Sequence, residues 1–190
     1  MNLNSKSTAV FISLLIIITL VSVVSYYISP SEIVENIGIH NTYWLILLVG
    51  IVSGVSTFTS TGFLAVYVTL VLGGSNPFLL GLSAGLALTV GDTLFYYLGR
   101  NGSRSLPDGI RKYFERAKQW FGTKPKWVLS LCIYLYTGFT PFPGDILNIF
   151  LGMSNFRYKE IILPIILGNI TLMVIVGHLA LSGIRFINMS

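Results

Sequence analysis

Two aspartates stand where carboxylates are costly. Asp145 follows Pro141-Phe142-Pro143-Gly144 within an apolar stretch, and Asp92 lies in the run Gly91-Asp92-Thr93-Leu94-Phe95-Tyr96-Tyr97-Leu98-Gly99-Arg100. An ionisable group at the centre of a bilayer costs about 2.5 to 3.5 kcal/mol or more, so it is kept where it faces a cavity, a partner or a transported species. The prolines before Asp145 remove backbone donors and break helical geometry, which leaves backbone groups for water, a cavity or a ligand to satisfy. A helix beginning after Gly144 would hold Asp145 in its first turn, where the helix dipole favours a carboxylate. Asp145 is therefore read as a substrate- or proton-binding group, with helix capping as the plainer alternative. Asp92 lies two turns before Arg100, inside the apolar run. It either meets a basic group, a proton or a headgroup, or makes a structural hydrogen bond to a Thr, Tyr or Asn on a neighbouring helix.

Other polar side chains fill in around these two. Arg100 and Arg157 sit at the inner ends of apolar elements, where they can meet a lipid phosphate or serve as interface anchors. Asn148 and Asn169 are polar groups suited to interhelical hydrogen bonds, and Thr59, Ser60 and Thr61 offer neutral hydroxyls at the first break in the apolar pattern. His178, in the last apolar run, reads as a packing residue before it reads as a proton relay. With two histidines far apart and one cysteine, Cys132, the chain supports neither a metal site nor a disulfide, and no cofactor is expected. No nucleophile stands beside a base in sequence, so the chain is not expected to be an enzyme.

The elements that must position these residues follow from composition. Apolar residues make up 53% of the 190 residues and charged residues 10%, against roughly 25% charged in a soluble domain, so too few charges exist to cover a water-facing surface. An integral membrane protein of one domain, residues 1–190, is expected. A spanning helix needs about 20 apolar residues, and Thr8 to Ile28, Pro77 to Leu98 and Ile161 to Ser182 qualify. Two further stretches are interrupted: Tyr43 to Phe58 and Phe63 to Leu72 flank Thr59-Ser60-Thr61-Gly62, while Trp127 to Phe139 and Ile146 to Met153 flank Thr140 to Asp145. Arms this short read as re-entrant helical hairpins, broken at Gly62 in one case and at Pro141, Pro143 and Gly144 in the other.

Eight of the twelve Lys and Arg lie between Arg100 and Lys126, which argues for a cytoplasmic loop and against a nucleic-acid-binding face. Within it Ile110, Tyr113, Phe114, Ala117 and Phe121 recur at helical spacing, opposite most of the basic residues, as in a helix lying on the inner leaflet. The N-terminus and this loop are placed inside a cell membrane, and the two hairpins enter from opposite sides. Gly62 and Gly144, 82 residues apart, mark the same layout of hairpin, polar turn and spanning helix in each half. The expected fold is all-α: three spanning helices plus two opposed re-entrant hairpins in an inverted repeat, with sites near the midplane at the broken helices. Glycines in Gly50-x-x-x-Gly54 and Gly81-x-x-x-Gly85 predict close helix packing.

The runs Pro141-Phe142-Pro143-Gly144-Asp145-Ile146-Leu147 with Leu151-Gly152-Met153, and Gly91-Asp92-x-x-x-Tyr96-Tyr97-Leu98-Gly99-Arg100, resemble the DedA family, also called SNARE-associated or VTT-domain proteins, and within it the YqaA-like branch. The resemblance covers roughly Tyr43 to Gly183. It implies a lipid translocase, a flippase or scramblase moving a phospholipid or polyprenyl phosphate carrier, with Asp145 and Asp92 lining the path. Two features depart from the family: Thr59 to Phe63 lacks the proline and acid usual at the first hairpin tip, and no arginine lies between Trp127 and Asn155. The implied partners are membrane lipids and protons, with a homo-oligomer left open. A proton-coupled solute carrier and a non-transporting scaffold are the alternative functions.

Overall fold

The computed structural model describes residues 35–53, 60–102, 108–140 and 144–189. The expected spanning helix Thr8 to Ile28 lies outside these residues, as do Gly54, Thr59, Pro141 and Pro143. All regular structure among the described residues is helical: α1 (Ile39–Ser53), α2 (Ser60–Leu72), α3 (Pro77–Gly102), α4 (Asp108–Gly122), α5 (Lys126–Phe139), α6 (Gly144–Met153) and α7 (Tyr158–Met189). Two of them are long and apolar enough to cross a bilayer, α3 and the Tyr158–Gly183 part of α7, each 26 residues or about 39 Å of helix. The arms α1, α2, α5 and α6 have 15, 13, 14 and 10 residues.

The ends of these helices are encoded locally. At the end of α2 the Ser75 N–H bonds to Leu70 O at 3.2 Å and the Gly74 N–H to Val71 O at 3.1 Å, with Gly74 at φ 101°. That is a Schellman stop, whose left-handed residue favours glycine. The end of α6 repeats it: Phe156 N–H to Leu151 O at 3.2 Å, Asn155 N–H to Gly152 O at 2.9 Å, and Asn155 at φ 54°. Four residues then lead to the next helix in both cases, 73–76 before α3 and 154–157 before α7. Asn76 caps α3 by accepting the Phe78 and Leu79 N–H groups at 2.9 and 3.3 Å, and Pro77 occupies the first helical position, where its missing N–H costs nothing.

Helices α3 and α7 run antiparallel through the centre, and glycines set their approach. A Cβ on Gly85 would stand 2.6 Å from Ile170 Cα, and one on Gly81 3.0 Å from Val174 N, so the small residues of this stretch do what their spacing predicts. Helix α3 also packs against α1 and α6, and α7 against α5 and α2. Each long helix therefore holds the first arm of its own half and the second arm of the other. Two apolar cores result. One gathers Ile46, Phe63, Tyr67, Leu80 and Met173, the other Tyr96, Ile133, Leu151, Ile161 and Ile165.

On the outer side of α3, Leu82, Leu86, Val90, Leu94 and Leu98 are exposed one turn apart. Their spacing makes a continuous apolar stripe along a helix long enough to span hydrocarbon, and exposed patches of this size mark an interaction surface or a membrane. Gly62, expected at a break, lies inside a helix. Ser60 and Gly62 already belong to α2, so the helix begins earlier than the polar residues suggest, as Ser is a favoured residue at helix starts.

Candidate functional site

The buried carboxylate of Asp92 is the centre of the site. Asp92 is 8% exposed and lies on the α3 face turned toward α6 and α7. Asn148 of α6 donates through Nδ2 to Asp92 Oδ1 at 2.6 Å, and Asn169 of α7 donates through Nδ2 to Oδ2 at 2.6 Å. Each oxygen thus receives an amide from a different helix, the charge-assisted arrangement that a desolvated carboxylate needs. Asn169 Nδ2 also reaches Thr89 Oγ1 at 3.2 Å, and Asn148 Nδ2 the Gly144 carbonyl at 3.0 Å. Of the two roles weighed for Asp92, the structural hydrogen bond to a neighbouring Asn is present.

Asp145 joins this cluster from the start of α6. It occupies the first turn of α6, half-buried, and is near enough to interact electrostatically with Asp92. A Cβ on Gly144 would stand 3.2 Å from Asp92 Oδ1, so the glycine lets the start of α6 rest against the carboxylate. Asn148 is fully buried, and its Oδ1 has no hydrogen-bond partner among the described residues. An orphan acceptor of this kind costs about 1 to 3 kcal/mol, which a hydroxyl, an amine or a water delivered to the site would recover.

Arg100 and Arg157 are elsewhere. Both line a groove of about 790 Å³ at the C-terminal end of α3, together with Lys118, Lys124 and Lys126. Eight residues, about 12 Å of helix, separate Arg100 from Asp92. Arg100 donates to Tyr96 Oη at 2.8 Å, and Tyr96 donates to the Phe156 carbonyl at 2.7 Å. The candidate residues therefore divide into a buried acidic-amide cluster and a basic groove. Thr59 is outside the described residues, and so are the side chains of Ser60 and Thr61. His178 is exposed on α7, with Nδ1 2.8 Å from Val174 O of its own helix.

Asn169 makes the interhelical hydrogen bond its polarity suggested, while Thr89, not singled out in the sequence, joins the site one turn before Asp92 by accepting from Asn169. No family model, curated protein or solved structure matches this chain.

Proposed function

We propose that this chain is a multi-pass protein of the cell membrane that translocates a lipid, its headgroup passing a polar cleft at the broken hairpins while its tails stay in the bilayer. The observation that carries this is the convergence of Asp92, Asn148 and Asn169 with Asp145 beside a broken helix, in a molecule whose long helices turn apolar stripes outward. Buried polar groups at helix breaks are where membrane carriers keep their binding sites. The resemblance of Pro141 to Met153 and Gly91 to Arg100 to DedA proteins points the same way.

Internal symmetry supports an inverted repeat. At an offset of 81 residues Gly74 corresponds to Asn155, the left-handed residues of the two matching helix stops. The same offset carries Tyr67 onto Asn148 and Asp92 onto Met173. Those residues make corresponding contacts: Asn148 of α6 reaches Asp92 of α3, and Tyr67 of α2 donates to the Met173 carbonyl of α7 at 2.6 Å. One half has exchanged a structural hydrogen bond for a carboxylate-amide cluster. In this reading α1–α2 and α5–α6 are opposed re-entrant hairpins, with the N-terminus and the segment from Arg100 to Lys126 inside.

Asp92, held by two amides, is the fixed wall of the cleft. Asp145, half-buried at the hairpin tip, meets the headgroup, and Asn148 Oδ1 accepts a hydrogen bond from it. The test is translocation in liposomes reconstituted with the purified protein, using fluorescent phospholipid and polyprenyl phosphate probes. Asp145→Asn is expected to slow movement about tenfold or more with thermal stability retained. Unchanged movement in Asp145→Asn removes that residue from the mechanism, and no movement by the folded wild-type protein rejects translocation in favour of a solute carrier or scaffold.

A further inference from the structure

The basic groove gathers cations from parts of the chain far apart in sequence. Arg100 comes from α3, Lys118 from α4, Lys124 from the following turn, Lys126 from the start of α5, and Arg157 from the connection between α6 and α7. Against these five stands one lining carboxylate, Glu160, whose Oε1 lies 3.7 Å from Lys126 Nζ. The groove is held in shape by contacts beneath the charges. Phe121 packs edge-on against Phe156 at 5.9 Å between ring centroids, and Lys118 Nζ donates to the Asn155 carbonyl at 2.9 Å. Tyr96 links Arg100 to the backbone of Phe156, the neighbour of Arg157. Holding like charges together costs free energy that solvent only partly screens, and a bound anion recovers it.

We infer that this groove binds a phosphate-monoester group. Lys118, Lys124 and Arg157, beside the Lys126–Glu160 pair, suit a dianion better than a zwitterionic phosphodiester, and the Arg157 guanidinium is a planar donor fork of the kind that matches phosphate oxygens. A volume of about 790 Å³ falls in the range of ligand sites and leaves room for more than the phosphate itself. The inference rests on the reading of this face as the inner membrane interface, but not on transport. The phosphate arrives either on a lipid of the inner leaflet or on a soluble metabolite.

Isothermal titration of the full chain in phosphatidylcholine nanodiscs distinguishes these sources. Three ligands are compared: short-chain phosphatidic acid, short-chain phosphatidylcholine and glycerol 3-phosphate. Saturable binding of phosphatidic acid alone assigns a lipid; binding of glycerol 3-phosphate, with or without the lipid, assigns the phosphoester itself. The double variant Lys118→Gln with Arg157→Gln is expected to weaken binding about fivefold for each cation removed. Lys124→Gln with Arg157→Gln should do the same while leaving the Lys118 to Asn155 bond intact. The charge-matched pair Lys112→Gln with Arg116→Gln, on exposed positions of α4 outside the groove lining, should bind as the wild type does. Equal loss in that control, equal binding of phosphatidylcholine, or no binding of either phosphate ligand overturns the inference. Phosphate binding by a folded wild-type protein that moves no lipid would leave the groove standing and the transport reading refuted.

Discussion

Asn169 of α7 donates through Nδ2 to Asp92 Oδ2 on α3 at 2.6 Å, joining the two longest apolar helices through a buried carboxylate. The residues are 77 positions apart. Neutral hydrogen bonds between membrane helices average about 0.6 kcal/mol, whereas leaving a buried charged acceptor short of a donor costs about 1 to 3 kcal/mol or more. Asn169→Leu is therefore expected to destabilise the folded protein by about 2 kcal/mol, measured by thermal unfolding in detergent. In an Asp92→Leu background most of that cost should vanish. Additive effects of the two substitutions would show that the bond carries no coupling.

Tyr96→Phe tests the link between the buried core and the groove. The hydroxyl accepts from Arg100 and donates to the Phe156 carbonyl, and Tyr96 is completely buried. Its loss should cost about 1 to 3 kcal/mol and loosen the turn carrying Arg157. Faster amide exchange at residues 154–157, with the N-terminal half of α3 unchanged, is the expected signature. Uniform protection across both regions would mean that the aromatic packing alone holds the turn.

The contact of Gly85 with the backbone of Ile170 leaves no room for a side chain. Gly85→Leu should force α3 and α7 apart and destabilise by about 3 kcal/mol or more. Among the described residues none lies within 4 Å of a Cβ on Gly109, in the first turn of α4, so Gly109→Ala should be tolerated, with a gain below the roughly 0.5 to 1 kcal/mol of a mid-helix exchange. Thermal unfolding of both variants checks the contrast. A harmless Gly85→Leu would refute the close crossing.

Nitroxide labels at Leu86, Val90 and Leu94, introduced on a Cys132→Ser background, test the membrane reading. All three positions are exposed on one stripe of α3, which lies in hydrocarbon if the helix spans. In reconstituted vesicles the labels should collide with oxygen far more often than with a polar nickel chelate. The reverse preference would place the stripe in water and end the transport proposal.

Much of the architecture was legible because it is local. The apolar run from Pro77 to Leu98 became α3 from Pro77 to Gly102, since a capping Asn, a proline at the first position and uninterrupted apolar sequence act within a few residues. Asp145 lies in the first turn of α6 as Gly144 predicted, and Gly81 and Gly85 make the close approach implied by their spacing. Gly62 was expected at a break and lies inside α2, because a polar, hydroxyl-rich segment reads equally as a turn or as a helix start.

What the sequence by itself determined is the set of parts: apolar helices of given length, glycines that permit close approach, and two aspartates within apolar runs. Only tertiary structure decided which parts meet. The glycine pair suggested a repeat offset of 82 residues, while the matching helix stops and helix contacts register at 81. A shift of one residue turns a helix face by about 100°, so no pairing of Asp92 with Asn148 and Asn169 could be derived from spacing alone. The same holds for Lys118, Lys124 and Lys126, which join Arg100 and Arg157 only because α4, α5 and the α6–α7 turn come together at the end of α3. Partner choice across helices depends on the rotation and depth at which they dock, and those are set by the summed packing of distant residues.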